Sequence, residues 1–318
     1  MIRRPPRSTQ GVSSAASDVY KRQALLGHDK FFLLGNDKDW QKLYMDRLGL
    51  NFLCGLKKYK ILNLISFFVV FHPVLIAQNI DNLVLEPGFK ISIFAENLSS
   101  PRQIAQGKNG TIFVGERTGK IIALTDTDQN GQADKKKVIA EGLEYSTGVS
   151  IFNGDLYFSE ISKIWKIENI ESWLNTNNSI SDLPKKVLVT DQLPSDKWHG
   201  WKWLKHDQQG GLYFNVGAPC NICLSKNSQY ASILKIMNGE WKFVARGVRN
   251  SVGFDFHPVT QKLFFTDNGR DWLGDDSPSC ELNRVDQDGQ FFGYPFKHAA
   301  NIKDPEFGDL NSGVDYVD

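Results

Sequence analysis

From residue 88 onward, apolar and polar positions alternate with period two in short runs. These are Lys90–Ala95, Thr111–Gly115, Lys120–Leu124, Gly154–Ser159, Lys163–Ile167, Gly211–Val216, Ser232–Met237 and Lys262–Thr266. The alternation predicts strands, because successive side chains of extended backbone point to opposite faces. Turn sequences bound the runs: Asn109-Gly110, Asn153-Gly154-Asp155, Gly210-Gly211, Asn238-Gly239 and Asp288-Gly289. Long helical patterns are missing, and one short helix is expected near Glu168–Leu174.

The runs also repeat as a larger unit. Gly110–Glu116 matches Gly154–Glu160, Gly211–Gly217 and Gln261–Asp267, and the aromatic positions Phe113, Tyr157, Tyr213 and Phe264 are 44, 56 and 51 residues apart. A period of roughly 40–50 residues with several short strands in each unit predicts an all-β chain folded as a β-propeller. A β-sandwich has short strands but does not predict this self-similarity. The 231 residues from 88 to 318 suffice for four to five blades, so a propeller truncated at the C-terminus is expected.

Charge divides the chain. Residues 1–60 hold 12 basic and 5 acidic side chains, residues 61–77 none, and residues 78–318 hold 25 basic and 31 acidic ones. The near-neutral total of +1 is therefore a leader of +7 and a body of −6. An acidic body argues against nucleic-acid binding. Lys57, Lys58 and Lys60 precede the apolar run Ile61–Ala77, the pattern of a secretory signal with cleavage after Ala77. A membrane anchor is the rival, weakened by the run's shortness and by Asn63, His72 and Pro73. Residues 1–23 show no apolar period and resemble translated sequencing-adaptor sequence. The expected organisation is 1–44 non-native or disordered leader, 45–77 signal peptide region, and 78–318 incomplete propeller domain, periplasmic or secreted, with no stable membrane insertion after cleavage.

Three segments differ from strand and turn filler: Leu193–Trp203, Gly247–Asp255, and Thr266–Asp276 followed by Glu281–Asn283. Together they offer an imidazole, a guanidinium and a glycine-containing acidic loop. That set suits base-assisted chemistry on an anionic or metal-bound group. At these residues, and at Phe292–Pro295, the chain resembles the soluble pyrroloquinoline-quinone (PQQ) dependent glucose/sorbosone dehydrogenase family over roughly residues 84–318.

The resemblance implies a six-bladed propeller that uses PQQ and Ca²⁺ to oxidise an aldose or similar sugar aldehyde to a lactone or acid. Electrons would leave to an external acceptor such as a cytochrome. It implies His199 as the general base that takes the substrate hydroxyl proton. Arg249 would stabilise charge on the reduced cofactor, beside the cofactor-binding Asn250. The backbone carbonyls of Gly269 and Arg270 would ligate Ca²⁺. The family's glucose enzymes have an acidic residue just before the histidine, where this chain has Trp198, and a glutamine near Ser146–Thr147. Both departures fall in the sugar subsite, so glucose itself is not implied.

Other readings stay open beside these. His199 between Trp198 and Trp201 also suits a packed aromatic corner, and Arg249 could pair with Asp267 or Asp271. His206, His257 and His298 read as structural or exposed. Asp126, Asp128, Asn130 and Asp134 fit part of a second calcium loop, but Lys137 stands where a full loop needs a bidentate glutamate; a plain turn explains them equally. Cys220 and Cys223 suit a redox pair, half a zinc site or a local disulfide, and export favours the disulfide. A Ca²⁺-dependent lactonase-type propeller and a non-catalytic carbohydrate- or protein-binding propeller are the alternative functions.

Overall fold

The computed structural model describes residues 83–176 and 182–310, with Leu26–Gly27 and Lys30–Phe32 from the leader. The signal region 45–77 lies outside the described residues. Strands β1 (Leu26–Gly27) and β2 (Lys30–Phe32) form a small sheet with β3 (Ile91–Ser92), in which Phe31 and Phe32 pair in parallel with Ile91 and Ser92. Part of the leader, expected to lie apart from the fold, thus meets the first extended segment of the body; Phe-Phe is β-prone, and β3 offers it an edge. Of the predicted strand Lys90–Ala95, only these two residues pair.

Blade 1 is a meander of β4 (Pro101–Gln106), β5 (Ile112–Glu116), β6 (Lys120–Thr125) and β7 (Lys135–Ala140). Blade 2 runs β8 (Val149–Phe152), β9 (Asp155–Ser159), β10 (Ile164–Ile167) and β11 (Val187–Thr190), with α1 (Ile170–Asn175) between the last two. Blade 3 holds β12 (Leu204–His206), β13 (Leu212–Val216), β14 (Ser232–Met237) and β15 (Glu240–Arg246). Blade 4 has three strands, β16 (Gly253–Phe256), β17 (Leu263–Asp267) and β18 (Glu281–Arg284). The chain then returns to blade 3, where β19 (Gln290–Phe291) pairs in parallel with β15. A hairpin of β20 (Lys297–His298) and β21 (Ile302–Lys303) follows. The fold is a β-propeller arrangement of four blades, as the repeat predicted.

The four repeating aromatics all lie on the second strand of a blade, where both faces are covered. All five residues of β5 are buried. Phe113 packs with Val149, Leu156, Phe158 and Ile167 of blade 2, while Ile112 and Val114 face Phe94, Leu98, Ile122 and Leu124. Ile164 and Leu193 meet Leu204, Leu212 and Phe214 of blade 3. Tyr213, Ile233 and Val244 meet Phe254, Leu263 and Phe265 of blade 4. The core is thus a series of inter-blade seams, and burying a large apolar side chain in one contributes about 1.5–3 kcal/mol.

Outer strands are different. Lys135–Ala140 begins exposed and only ends buried. Register shifts fall between Ile121 and Ile122 against β7, and between Ile233 and Leu234 against β15. Such bulges increase the local twist of the outer strand.

Candidate functional site

In a four-stranded meander the links between blades, and those from second to third strand, open on the same rim. The three chemistry-bearing segments all occupy such links. Leu193–Trp203 joins blades 2 and 3, Gly247–Asn250 joins blades 3 and 4, and Asn268–Asp276 links β17 to β18.

His199 has φ +50, in the left-handed region, and its Nδ1 lies 2.9 Å from the carbonyl oxygen of Ala218. A carbonyl only accepts, so Nδ1 carries the proton and donates it. Nε2 is then the unprotonated nitrogen of the neutral ring. Burial, then the Arg249 guanidinium, brings the imidazole down to about 4, so it is neutral at physiological pH. Gly217 makes this packing possible: a Cβ there would lie 2.6 Å from the Cβ of His199. The Trp198 ring meets His199 edge-on at 5.8 Å and is 55% exposed.

Arg249 is buried and tightly held. Nε donates to Asn221 O at 2.8 Å, Nη2 to Asn221 Oδ1 at 2.8 Å and Asp271 Oδ2 at 3.3 Å. Nη1 donates to Asn268 O at 3.1 Å and Gly269 O at 2.8 Å. The pairing with Asp271 therefore exists, alongside four ties to carbonyl groups. Asp267 holds the backbone from beneath, accepting from the N–H of Arg249 at 2.8 Å and of Asn250 at 2.6 Å. Burial pushes its carboxyl up to about 7 against those two donors. Among the described residues, the buried Asn250 Oδ1 has no hydrogen-bonding partner.

The carbonyls expected to hold Ca²⁺ are in distinct settings. Gly269 O is engaged by Arg249, while the Arg270 side chain turns to Asp304 at 2.6 Å and Glu306 at 3.1 Å. His298 joins Asp304 at 2.8 Å, giving a buried three-residue cluster. A carbonyl oxygen has two lone pairs, so Gly269 retains one for a cation. The adjacent guanidinium opposes a second positive charge unless an anion accompanies it. The residues present therefore suit a cation together with an anionic ligand, and Asn250 Oδ1 leaves an acceptor to satisfy. The enclosed space among Arg249, Asp267, Glu281 and Tyr294 is about 10 Å³, enough for one water. A ligand larger than a water does not fit in that space.

Elsewhere, Asp126 accepts the N–H groups of Asn130 and Gly131 at 3.1 and 2.8 Å, and Asp134 accepts Thr127 N at 3.1 Å. Asp128 accepts from the Asn130 amide at 2.9 Å. This is a self-satisfied Asx turn. Among the described residues no three His, Cys, Asp or Glu side chains are grouped to hold a metal. Cys220 and Cys223 are joined in a disulfide, and Cys280 is free and exposed. Ser146 and Thr147 donate to the backbone oxygens of Glu116 and Lys202 at 3.0 Å each, so neither hydroxyl substitutes for a sugar-binding glutamine.

Several contributors escaped the sequence reading. Asn221 clamps Arg249 from the β13–β14 loop of blade 3. Arg102 and Arg117 lie over the Trp201 ring at 4.9 and 5.1 Å. Lys202 is fully enclosed, donates to Gly200 O, and is brought down to about 7 by burial. Sequence carries no signal for the Asn221, Arg102 and Arg117 contacts, because each joins segments far apart in the chain, and none for the burial of Lys202. Among the described residues no helix is long and apolar enough to cross a membrane.

Comparison with known proteins agrees with the propeller fold. The family model described as TrAA12-like matches residues 83–305. A protein of Borreliella burgdorferi, itself described only as uncharacterized, is 30% identical over 249 residues, covering 76% of this chain and 64% of that protein. Three solved structures share the fold. The holo form of the pyranose dehydrogenase PQQ domain from Coprinopsis cinerea has a TM-score of 0.52 at 17% identity, covering 64% of this chain and 55% of that one. The calcium structure of the Trichoderma reesei carbohydrate-active enzyme of family AA12 gives 0.54 at 18%, covering 69% and 62%. The PQQ-bound aldose sugar dehydrogenase from Streptomyces coelicolor gives 0.51 at 19%, covering 67% and 68%. The chain spans a little over half to two thirds of the length of these proteins. The resemblance to PQQ-dependent sugar dehydrogenases holds, and with seven-tenths of its length matched, the chain belongs to the TrAA12-like family.

Proposed function

We propose that the protein is a PQQ- and Ca²⁺-dependent dehydrogenase that oxidises an aldose or similar sugar aldehyde to a lactone or acid. The observation that carries this is the neutral His199, protonated at Nδ1 by its bond to Ala218, beside the buried Arg249. When bound, PQQ supplies two-electron acceptance and Ca²⁺ supplies Lewis acidity, neither of which a side chain has. His199 takes the substrate hydroxyl proton at Nε2. Arg249, with Asn250 beside it, offsets negative charge on the bound group through its fixed charge, since its N–H groups are committed within the protein, and a low-dielectric setting strengthens the effect. Gly269 and Arg270 offer backbone carbonyls to the cation. The exposed Trp198 ring beside His199 offers a flat apolar platform for a pyranose face. The Cys220–Cys223 disulfide fits an oxidising compartment, which supports export to the periplasm or medium.

The test adds PQQ and Ca²⁺ to the protein and follows sugar-dependent dye reduction across a panel of aldoses. Turnover in the wild type, with a loss on the order of 10²–10⁴ in His199→Ala, is expected. Absence of turnover with every sugar, or full activity in His199→Ala, sinks the proposal. The full use of the Arg249 donors within the protein favours a second reading, a non-catalytic carbohydrate-binding propeller. Glycan binding without turnover, indifferent to loss of His199, would support that one.

A further inference from the structure

The loop Cys220-Asn221-Ile222-Cys223 links β13 to β14 in blade 3, yet its polar groups are committed to blade 4 and its approach. The Asn221 carbonyl accepts from Arg249 Nε at 2.8 Å, and its Oδ1 accepts from Arg249 Nη2, also at 2.8 Å. One residue thereby caps a whole edge of the guanidinium with two parallel bonds, the geometry that fixes its plane. The same Oδ1 accepts from Asp271 N at 2.8 Å, and Nδ2 donates to Asp271 O at 3.2 Å. Asn221 therefore joins Arg249 to the loop that carries Gly269 and Arg270.

Asn221 is itself held from two sides. The disulfide closes a ring across it. Behind the ring stands the buried Tyr294, whose hydroxyl accepts from Cys223 N at 3.0 Å and lies 3.3 Å from Cys220 Sγ. An open four-residue loop would give up conformational freedom to present Asn221, and ring closure removes much of that cost.

We infer that Asn221, held in the Cys220–Cys223 ring, is the positioning residue for Arg249, and that the ring thereby sets the affinity of the site for its anionic cofactor. The second half rests on the proposed reading of Arg249 as cofactor-facing. The experiment uses the full chain as wild type, Asn221→Ala, Asn221→Asp and the double variant Cys220→Ser/Cys223→Ser. The first readout is the Arg249 Nη2–H nuclear magnetic resonance signal of the cofactor-free protein, whose acceptor Asn221 Oδ1 the alanine variant removes, assigned by its loss in Arg249→Lys. It should exchange slowly with water in the wild type and in Asn221→Asp, which keeps both acceptors. Exchange should be at least about tenfold faster in Asn221→Ala and in the double variant. The second readout is PQQ titration with Ca²⁺, followed by tryptophan fluorescence. Kd should weaken about tenfold, or about 1.4 kcal/mol, in those two variants and stay near wild type in Asn221→Asp.

Unchanged exchange in Asn221→Ala overturns the positioning role. Faster exchange with unchanged Kd supports positioning and overturns the link to affinity. Faster exchange in a protein whose wild type binds no PQQ supports positioning and overturns both that link and the proposed cofactor. Should the double variant fail to fold, Asn221→Ala against Asn221→Asp decides the question.

Discussion

Replacing His206 by glutamine should change the pH dependence of stability by a calculable amount. His206 stacks on Phe152 at 5.0 Å, meets Tyr157 edge-on at 4.4 Å, and has Nδ1 2.9 Å from Ser150 Oγ. Burial brings it from 6.5 to about 4. The folded state then binds fewer protons than the unfolded state in that window, so stability is lost as pH falls through it. Linkage puts the loss at about 2 kcal/mol between about pH 7 and about pH 5. Asp267 acts in the opposite direction. Its carboxyl, raised from 3.8 to about 7, keeps its proton longer in the folded state, and the same acidification restores about 2 kcal/mol. The wild-type profile alone is therefore uninformative, and the difference between wild type and His206→Gln is the useful quantity. Asp267 and His199 are common to both proteins and cancel. The amide can still meet Ser150, and the lost ring contacts give an offset independent of pH. Urea or thermal melts should show the gap narrowing by about 2 kcal/mol on acidification, or roughly 4–8 °C in Tm for a domain of this size. Parallel profiles, or a gap that widens at low pH, would refute the reasoning.

Three further outcomes are expected. Gly217→Ala puts a methyl group against the backbone and Cβ of His199; it should lower sugar oxidation on the order of 10²-fold with a smaller change in melting, both measured on one preparation. Lys202→Met removes a buried amine held down to about 7 from 10.5. The wild type gains stability as pH rises through that window, so the variant should be more stable near neutrality by up to about 4 kcal/mol, with the gap closing by about pH 10 in parallel melts. Arg270→Gln leaves Asp304 and His298 in a buried cluster without its cation; a loss of about 3–5 kcal/mol should appear in denaturant unfolding.

The second strands of the blades were legible because both their faces meet apolar neighbours, which leaves aromatic and branched residues at fixed places. The second strands Leu212–Val216 and Leu263–Asp267 were read to within one residue, and the third strand Ser232–Met237 to the residue. Lys135–Ala140 and Val187–Thr190 were missed because outer strands are partly exposed and carry polar residues. Short inner strands such as Leu204–His206 are too brief to establish a period. His199 and Arg249 stood out because their segments fit no strand pattern. Asn221 did not: it touches Arg249 across 28 residues, a contact made by docking blade 3 against blade 4. The Asp126 loop has a ligand-like spacing whose first carboxylate accepts from the backbone of Asn130 and Gly131.

The meander's alternation of ends has a practical meaning for engineering. The turn Asn238-Gly239 opens on the rim opposite His199 and Arg249; Gly239 has φ +81, and nothing lies within 4 Å of where its Cβ would be. New termini, a reporter domain or a surface-immobilisation tag placed there would leave the rim that carries His199 and Arg249 facing solution. The fold thus separates an underside with open space at Gly239 from an upper surface where a methyl group at Gly217 would lie 2.6 Å from the Cβ of His199.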